Sequence, residues 1–234
     1  MKDNNVYSSI FMASVNAIAT FFPVANSIMA YINELNAHQL QRKIKRLEDF
    51  SIKLEADLHK VSDRINKECV NREDFQDLFE NITKKVVNER LDDKRVLFKN
   101  ILLNTVTDIN FDFDITERYL RILEQLSLRQ IILLQILYNP KEYNDSHGKI
   151  IKDPENNLYQ TVWLSVTSGQ ILCRILKCKD YELQSEIGYL YYNGLVTEKM
   201  LDKRIETNGN AIRVLDNLLT VMGKRFVQYV NNGL

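Results

Sequence analysis

The sequence predicts a mainly α-helical protein: a multi-helix bundle with a long heptad-patterned helix, followed by a winged-helix-like α+β C-terminal module. Two observations lead to this fold class. Apolar residues recur in steps of four and three from Leu40 to Ile65, which is typical of a helix that packs against another helix. After residue 193 the pattern changes to short β-type segments around a polar turn. The expected divisions are 1–33, 34–110 and 111–234, with a loop at 140–157.

Composition excludes several functional classes. Hydrophobic residues make up 45% and charged residues 26% of the 234 residues, and 31 basic residues balance 31 acidic ones. A neutral chain lacks the basic excess that is typical of nucleic-acid binding, so a nucleic-acid partner is expected less than a protein partner. Three scattered cysteines form no disulfide framework and indicate a reducing, cytoplasmic location.

No catalytic, cofactor-binding or metal-binding constellation stands out in the sequence. The first glycine is Gly148, so the preceding residues contain no phosphate-cradling loop. Cys173 and Cys178 are five apart, which is not the spacing of a zinc knuckle. We therefore expect a non-enzymatic protein without cofactor or metal.

The N-terminal segment is uncharged between Asp3 and Glu34. Its length would span a bilayer, but polar residues dilute it and Pro23 would break a single helix. Three interpretations stay open: a helical hairpin buried in the protein, an interfacial segment that places the protein at the inner membrane, and a transmembrane helix. The residues expected to act in membrane binding or assembly are Ile10, Phe11, Ile18, Phe21, Phe22 and Ile28.

The heptad seam predicts a long helix with a helical partner. Its members are Leu40, Ile44, Leu47, Ser51, Leu54, Leu58, Val61 and Ile65, of which only Ser51 is polar. Two arrangements satisfy the pattern. The helix either pairs within the chain as an antiparallel hairpin, or residues 40–65 form a coiled-coil surface in a homo-oligomer.

The middle of the chain contains several helix signals. Asn71 with Asp74 is expected to cap one helix, and Ser127 with Gln130 forms a capping box for another. The charged run 89–95 predicts a helix–helix corner with ion pairs rather than acid–base chemistry, because neighbouring cations lower carboxyl pKa values. The acids at 108–114 fit helix capping near Thr116 better than a calcium loop.

The C-terminal pattern follows the order of a winged helix. A helix over 180–193 ends at Gly194, Leu195-Val196 starts a strand, the hairpin turns at Asn208-Gly209, and Thr220 opens the last helix. The return strand is expected at Ile212, Val214 and Leu215. The helix over 180–193 is rich in acids and tyrosines and has no arginine, which favours protein contact over base readout. Candidate contacts to nucleic acid or to a partner are Lys199, Lys203, Arg204, Lys224 and Arg225.

Four segments together resemble the bacterial abortive-infection alpha type of helical protein. They are the uncharged N-terminus with Pro23, ERLDDKRVLFKNILLN at 89–104, LRILEQLSLRQIILLQIL at 120–137, and GYLYYNGLV at 188–196 with LTVMGKRFVQYV at 219–230. The chain departs from that pattern by lacking glycine near Pro23 and by having Phe98 in place of a tryptophan. The resemblance implies a role in phage defence or growth arrest, without any catalytic residue.

Two functional hypotheses follow. In the first, the chain is a phage-defence protein that binds a protein partner and acts at the membrane through its N-terminus. The alternative is a winged-helix transcriptional regulator that binds DNA.

Overall fold

The computed structural model describes residues 9–28, 31, 37–108, 112–146, 168–199, 215 and 218–231. It divides the chain into two compact units, Met1–Glu124 with Tyr229–Leu234 (unit 1) and Gln125–Gln228 (unit 2). The described residues are mainly helical, as the sequence predicts, and contain no extended strand. The helices are α1 (Ser9–Phe21), α2 (Ala37–Lys60), α3 (Lys67–Val70), α4 (Glu73–Asn88), α5 (Asp92–Thr107), α6 (Phe113–Gln125), α7 (Leu128–Tyr138), α8 (Pro140–Ser146), α9 (Ser168–Leu176), α10 (Asp180–Tyr192) and α11 (Val221–Asn231).

Residues 9–28 of the uncharged N-terminal segment pack into the core of unit 1. Helix α1 lies against α2, and Pro23 opens a single turn of 3-10 helix (Pro23–Asn26) that contacts α4. Phe22 is completely buried and meets the rings of Phe75 and Phe79 edge-on, with centroid distances of 5.1 and 5.8 Å. Pro23 therefore redirects the chain at the end of α1, as the sequence predicts.

The heptad seam of α2 is occupied within the chain. Its described members Ile44, Leu47, Ser51, Leu54 and Leu58 are buried, and the neighbouring helices α1, α4 and α5 pack against α2. This arrangement matches the pairing-within-the-chain interpretation. An oligomer through residues 40–65, which stays a prediction, would have to use other faces of the helix.

The long helix ends earlier than the heptad pattern predicts. Helix α2 stops at Lys60, so Val61 and Ile65 are outside it, and a turn of 3-10 helix follows at Ser62–Arg64. The Ser62 hydroxyl donates a hydrogen bond to the His59 carbonyl at 3.1 Å. Serine and aspartate side chains compete in this way for backbone hydrogen-bonding groups, which favours the end of a helix. The apolar heptad pattern of the sequence therefore continues to Ile65, beyond the end of α2.

The predicted cap at Asn71 is wrong. Asn71 follows the short helix α3 and donates its side-chain amide to the Lys67 carbonyl at 2.9 Å. The cap is Asn66, whose side-chain oxygen accepts from the amides of Glu68 and Cys69. A sequence window of four residues cannot distinguish the end of a one-turn helix from the start of the next helix.

Other caps occur where the sequence predicts them. The Asp112 carboxylate accepts from the amides of Asp114 and Ile115 and starts α6 just before Thr116. Ser127 and Gln130 form the capping box of α7. The expected loop at 140–157 is wrong over Pro140–Ser146, which form α8, because Pro140 suits the first turn of a helix and Asn139 caps it. Residues 147–157 lie outside the described part.

In unit 2, α7, α9 and α10 pack against one another. Helix α10 ends as predicted at Gly194, which has a φ of 71°; the Leu195 amide donates to the Leu190 carbonyl, and the Gly194 amide donates to that of Tyr191. These are the two hydrogen bonds of a Schellman motif.

An isolated antiparallel bridge joins Val196 and Leu219. The Thr197 amide donates to the Leu218 carbonyl, and the Thr220 amide donates to that of Leu195. The predicted return strand is wrong at Leu215, which is helical. The residue that pairs with Val196 is Leu219, further along the chain. Ile212, Val214 and the Asn208-Gly209 turn lie outside the described residues.

The final helix begins where the sequence predicts. The Thr220 hydroxyl accepts from the Gly223 amide at 2.8 Å and so caps α11. Gly223 lies so close to the backbone of Leu195 that an added Cβ would be 2.0 Å from the Leu195 carbonyl oxygen. Glycine is therefore required where α11 crosses the end of α10.

Replacing Ser51 with alanine is expected to raise the free energy of unfolding by about 1–2 kcal/mol. The Ser51 hydroxyl is buried and has no hydrogen-bond partner among the described residues, so no hydrogen bond there replaces the one it makes to water in the unfolded chain. Chemical denaturation measures the change. Ser185→Ala, at an exposed position in α10, is the control for helix propensity, worth about 0.5 kcal/mol. A Ser51→Ala gain no larger than that of the control would contradict the expectation.

Candidate functional site: an exposed tyrosine stripe

The charged run 89–95 forms a helix–helix corner held by ion pairs and by bonds to backbone carbonyls, as predicted. The Arg95 guanidinium donates to the carbonyls of Glu89 and Arg90 and contacts the Asp92 carboxylate at 3.0 Å. Arg46, from α2, donates to the Val87 carbonyl at 2.9 Å. These cations satisfy carbonyl groups at the end of α4 that have no partner within that helix.

The polar face of α5 binds the ends of other helices in unit 1. Lys94 donates to the carbonyl of Glu124 near the end of α6 at 2.8 Å. Asn100 donates to the Val230 carbonyl at 2.8 Å, and Asn104 donates to that of Tyr229. Polar side chains of segment 89–104, one of the segments that carry the family resemblance, therefore form structural hydrogen bonds.

One buried carboxylate lies at the centre of unit 1. Asp57 of α2 contacts Lys99 of α5 and, at 2.8 Å, Lys60. Burial raises the pKa of Asp57, but the hydrogen bonds and charges of Lys60 and Lys99 together outweigh burial and lower it below its ordinary value of 3.8. A carboxylate held ionised by two lysines is poorly suited to general acid–base chemistry near neutral pH.

The half-buried Tyr229 places its hydroxyl between those of Thr105 and Thr116, at 3.0 and 3.1 Å. Burial raises the pKa of Tyr229, so its phenol stays protonated. Sequence reasoning missed this cluster, because no spacing pattern connects residues more than a hundred positions apart.

Most of the N-terminal residues singled out from the sequence are core residues. Phe11, Ile18, Phe22 and Ile28 are fully buried. Phe21 is partly buried and packs edge-on against His59 at 5.3 Å, whereas Ile10 is 62% exposed. No helix in the described part of the chain is both long and apolar enough to cross a membrane.

Helix α10 carries large exposed side chains on one face. Its buried face is formed by Leu183, Ile187 and Leu190, whereas Tyr181 and Tyr192 are 67% and 74% exposed. Eleven residues are about three turns, so the two tyrosines share a face roughly 16 Å apart. Ser185 and Gly188 lie between them on the same face. We call Tyr181, Ser185, Gly188 and Tyr192 the tyrosine stripe.

The middle of the tyrosine stripe is a shallow open strip. Ser185 is exposed, and a Cβ added at Gly188 would meet no atom within 4 Å. The tyrosine rings therefore stand at the two ends of a low surface. A helix or an extended segment could lie between them without displacing any side chain.

A lysine lies over each tyrosine ring of the stripe. The Lys179 ammonium is 5.8 Å from the centroid of Tyr181, and that of Lys199 is 5.4 Å from the centroid of Tyr192. A hydrogen bond with Tyr192 raises the pKa of Lys199. Each end of the stripe thus combines an aromatic surface with a positive charge.

Two of the three acids of α10, Glu182 and Glu186, are directed to α7. Glu182 and Glu186 each lie 3.9 Å from the Arg129 guanidinium of α7. Arg129 therefore partly balances the negative charge of these two acids. The charged groups over the two tyrosine rings are those of Lys179 and Lys199.

The basic residues predicted from the sequence are only partly brought to the stripe. Lys199 borders it, as described above. Lys224 and Arg225 are exposed on α11, and Lys203 and Arg204 lie outside the described residues. Within the described ranges, no three His, Cys, Asp or Glu side chains are grouped so as to hold a metal ion.

The chain matches no family model, and no curated protein or solved structure matches it.

Proposed function

We infer that the chain is a non-catalytic interaction protein of a bacterial phage-defence system, acting in the cytoplasm, and that it binds an acidic protein segment along the tyrosine stripe. The observation that carries this proposal is the pair of exposed tyrosines on one face of α10, each with a lysine over its ring. The defence role is supported by the sequence resemblance, whose segment 188–196 overlaps the stripe.

The chemistry of the stripe supports a protein partner. Tyrosine is enriched in protein interfaces because it buries a large rigid surface and keeps one polar group. Each exposed ring leaves apolar surface in water that a partner would cover. Lysines at the rim favour carboxylates on that partner and would speed its association.

The buried N-terminus supports placing the interaction in unit 2. Membrane action through residues 6–32 would require Phe11, Ile18, Phe22 and Ile28 to leave the core of unit 1. The tyrosine stripe needs no such rearrangement, because its side chains are already exposed.

Replacing both tyrosines by serine is expected to remove the defence activity without unfolding the protein. Each substitution should weaken partner binding by about 5- to 30-fold, because truncating an interface tyrosine costs about 1–2 kcal/mol. Efficiency of phage plating on bacteria that express wild-type or Tyr181→Ser/Tyr192→Ser protein measures the effect. Thermal unfolding checks that the variant is folded.

Ile115→Ser is the matched control, because Ile115 is a large exposed apolar residue of unit 1. It should protect as well as the wild type. If wild-type protein changes neither plating nor growth, the defence role is wrong. If the double tyrosine variant protects as well as the wild type, the stripe is not the binding surface.

A second candidate function, a winged-helix DNA-binding regulator, is supported by the bridge between Val196 and Leu219. The two bridged residues lie on either side of segment 200–214 in the sequence, as the base of a wing would. Exposed Lys199, Lys224 and Arg225 lie on either side of that segment. This function predicts salt-dependent duplex binding that weakens when Lys203 and Arg204 are neutralised, measured by fluorescence anisotropy. Binding that is unaffected by salt and by these substitutions would count against it.

A further inference from the structure

Two cysteines meet where α9 ends. Lys177 follows the helix with a φ of 49°, in the left-handed region that a side chain makes unfavourable. The Cys178 amide donates to the Cys173 carbonyl at 3.0 Å. A left-handed residue after the helix and this six-residue hydrogen bond are two of the features of a Schellman motif. In such a motif the side chains at the two ends of the hydrogen bond lie against each other, and here both are cysteines.

The two thiols are close and accessible. A hydrogen bond links their side chains, both are free, and both are partly exposed. The third cysteine is also free, but it differs in its exposure and in its hydrogen-bond partner. Cys69 is buried in unit 1, its sulfur lies 3.6 Å from the Thr105 carbonyl, and burial raises the pKa of its thiol to about 11. Cys69 is thus an internal reference for an unreactive thiol.

We propose that Cys173 and Cys178 are a thiol–disulfide exchange site that closes reversibly into an intramolecular disulfide when it meets a low-molecular-weight disulfide such as glutathione disulfide. The backbone already brings the two residues together, so closing the bond orders little additional chain. Lys177 is held in an unfavourable backbone region, which shows that the local fold maintains this turn against a steric cost.

The exchange balances with one small disulfide, RSSR, for two protein thiols. The Cys178 thiolate attacks one sulfur of RSSR, forms a mixed disulfide and releases the first RS⁻. The Cys173 thiolate then attacks the Cys178 sulfur, closes the protein disulfide and releases the second RS⁻. The two protons lost by the protein thiols end on the two RS⁻ groups.

The order of the two attacks follows from the surroundings of each thiol. Burial raises the pKa of the Cys173 thiol to about 11, and the charge of Cys178 adds to this shift. Burial therefore disfavours the Cys173 thiolate, and Cys173 acts second. Cys178 is outside the helix, between Lys177 and Lys179, where an incoming anionic disulfide such as glutathione disulfide is attracted.

The test is to incubate the folded full-length chain with excess glutathione disulfide, block the remaining thiols with iodoacetamide, and map the peptides by mass spectrometry. The expected product has lost two of its three free thiols, with Cys173 joined to Cys178 and Cys69 alkylated. Dithiothreitol should restore all three. A wild-type product in which Cys173 and Cys178 are both alkylated, or in which either is joined to another chain, would overturn the proposal.

Single substitutions separate the roles. Cys69→Ser should close the disulfide at the wild-type rate. Cys173→Ser should stop at a glutathione adduct on Cys178, because no second thiol remains to displace it. Cys178→Ser should form an adduct on Cys173 much more slowly. Equal adduct rates for the latter two variants would contradict the order of attack, and disulfide closure in either of them would contradict the site itself.

Discussion

Replacing Phe22 with alanine is expected to lower the free energy of unfolding by about 3–5 kcal/mol, a large part of the stability of a typical domain. Phe22 is completely buried against Phe75 and Phe79, so the substitution removes apolar contact and leaves a cavity between α1 and α4. Urea denaturation followed by circular dichroism measures the change.

Ile10→Ala is the matched control in the same N-terminal segment, because Ile10 is 62% exposed. It should change the free energy of unfolding by less than about 0.5 kcal/mol. If the N-terminal segment instead acts in membrane binding, Phe22→Ala should reduce membrane binding and leave the free energy of unfolding unchanged. If Phe22→Ala leaves stability unchanged but reduces binding to vesicles of anionic bacterial lipids, residues 9–28 do not serve as core in solution.

Replacing Lys99 with methionine is expected to cost about 3 kcal/mol at pH 7, because it removes one partner from a buried ion pair. Asp57 would keep Lys60, whose side chain is mostly exposed and compensates only in part. Replacing both partners, as in Asp57→Leu/Lys99→Met, should be close to neutral, because no buried charge is left without its partner. Denaturant unfolding of Lys99→Met, Asp57→Leu and the double variant gives the double-mutant cycle.

The cost of Lys99→Met should depend on pH. The pKa of Asp57 is below 3.8 in the folded protein, so the stabilisation by its ionised form is fully present above that pH. It is lost as the pH falls through the folded-state pKa, and the difference between wild type and variant should shrink accordingly. Lys84→Met, which removes an exposed pair with Glu80, should cost about 0.5 kcal/mol or less. A Lys99→Met cost as small as that of this control would show that the buried pair contributes nothing.

Local signals explain the parts of the fold that the sequence predicts well. The capping box at Ser127 and Gln130, the glycine end of α10 and the threonine cap of α11 each depend on residues within one turn of one another. Local signals of the same length predict a wrong helix boundary when two short elements are adjacent in the chain. The cap assigned to Asn71 and the loop assigned to Pro140–Ser146 are such cases.

The candidate site could be predicted only in part. The tyrosines of α10 and the absence of arginine there indicate protein contact from sequence alone. Their exposure and the lysine over each ring depend on which face of α10 unit 2 buries. Periodicity shows which residues share a face of a helix, but it does not show which face is buried. The burial of Leu183, Ile187 and Leu190 in the structure assigns the opposite face to solvent.

The sequence by itself determined the helical class, several helix ends and the apolar seam of α2, because propensity, capping and period act between residues close in the chain. Tertiary structure decided whether the uncharged N-terminus is core, because its apolar residues would suit a lipid, a partner or an aromatic neighbour equally well. In the folded protein the aromatic neighbours of Phe22 are the rings of Phe75 and Phe79. Tertiary structure also paired Asp57 with Lys99, because an ion pair between distant helices depends on how those helices pack and leaves no spacing signal in the chain.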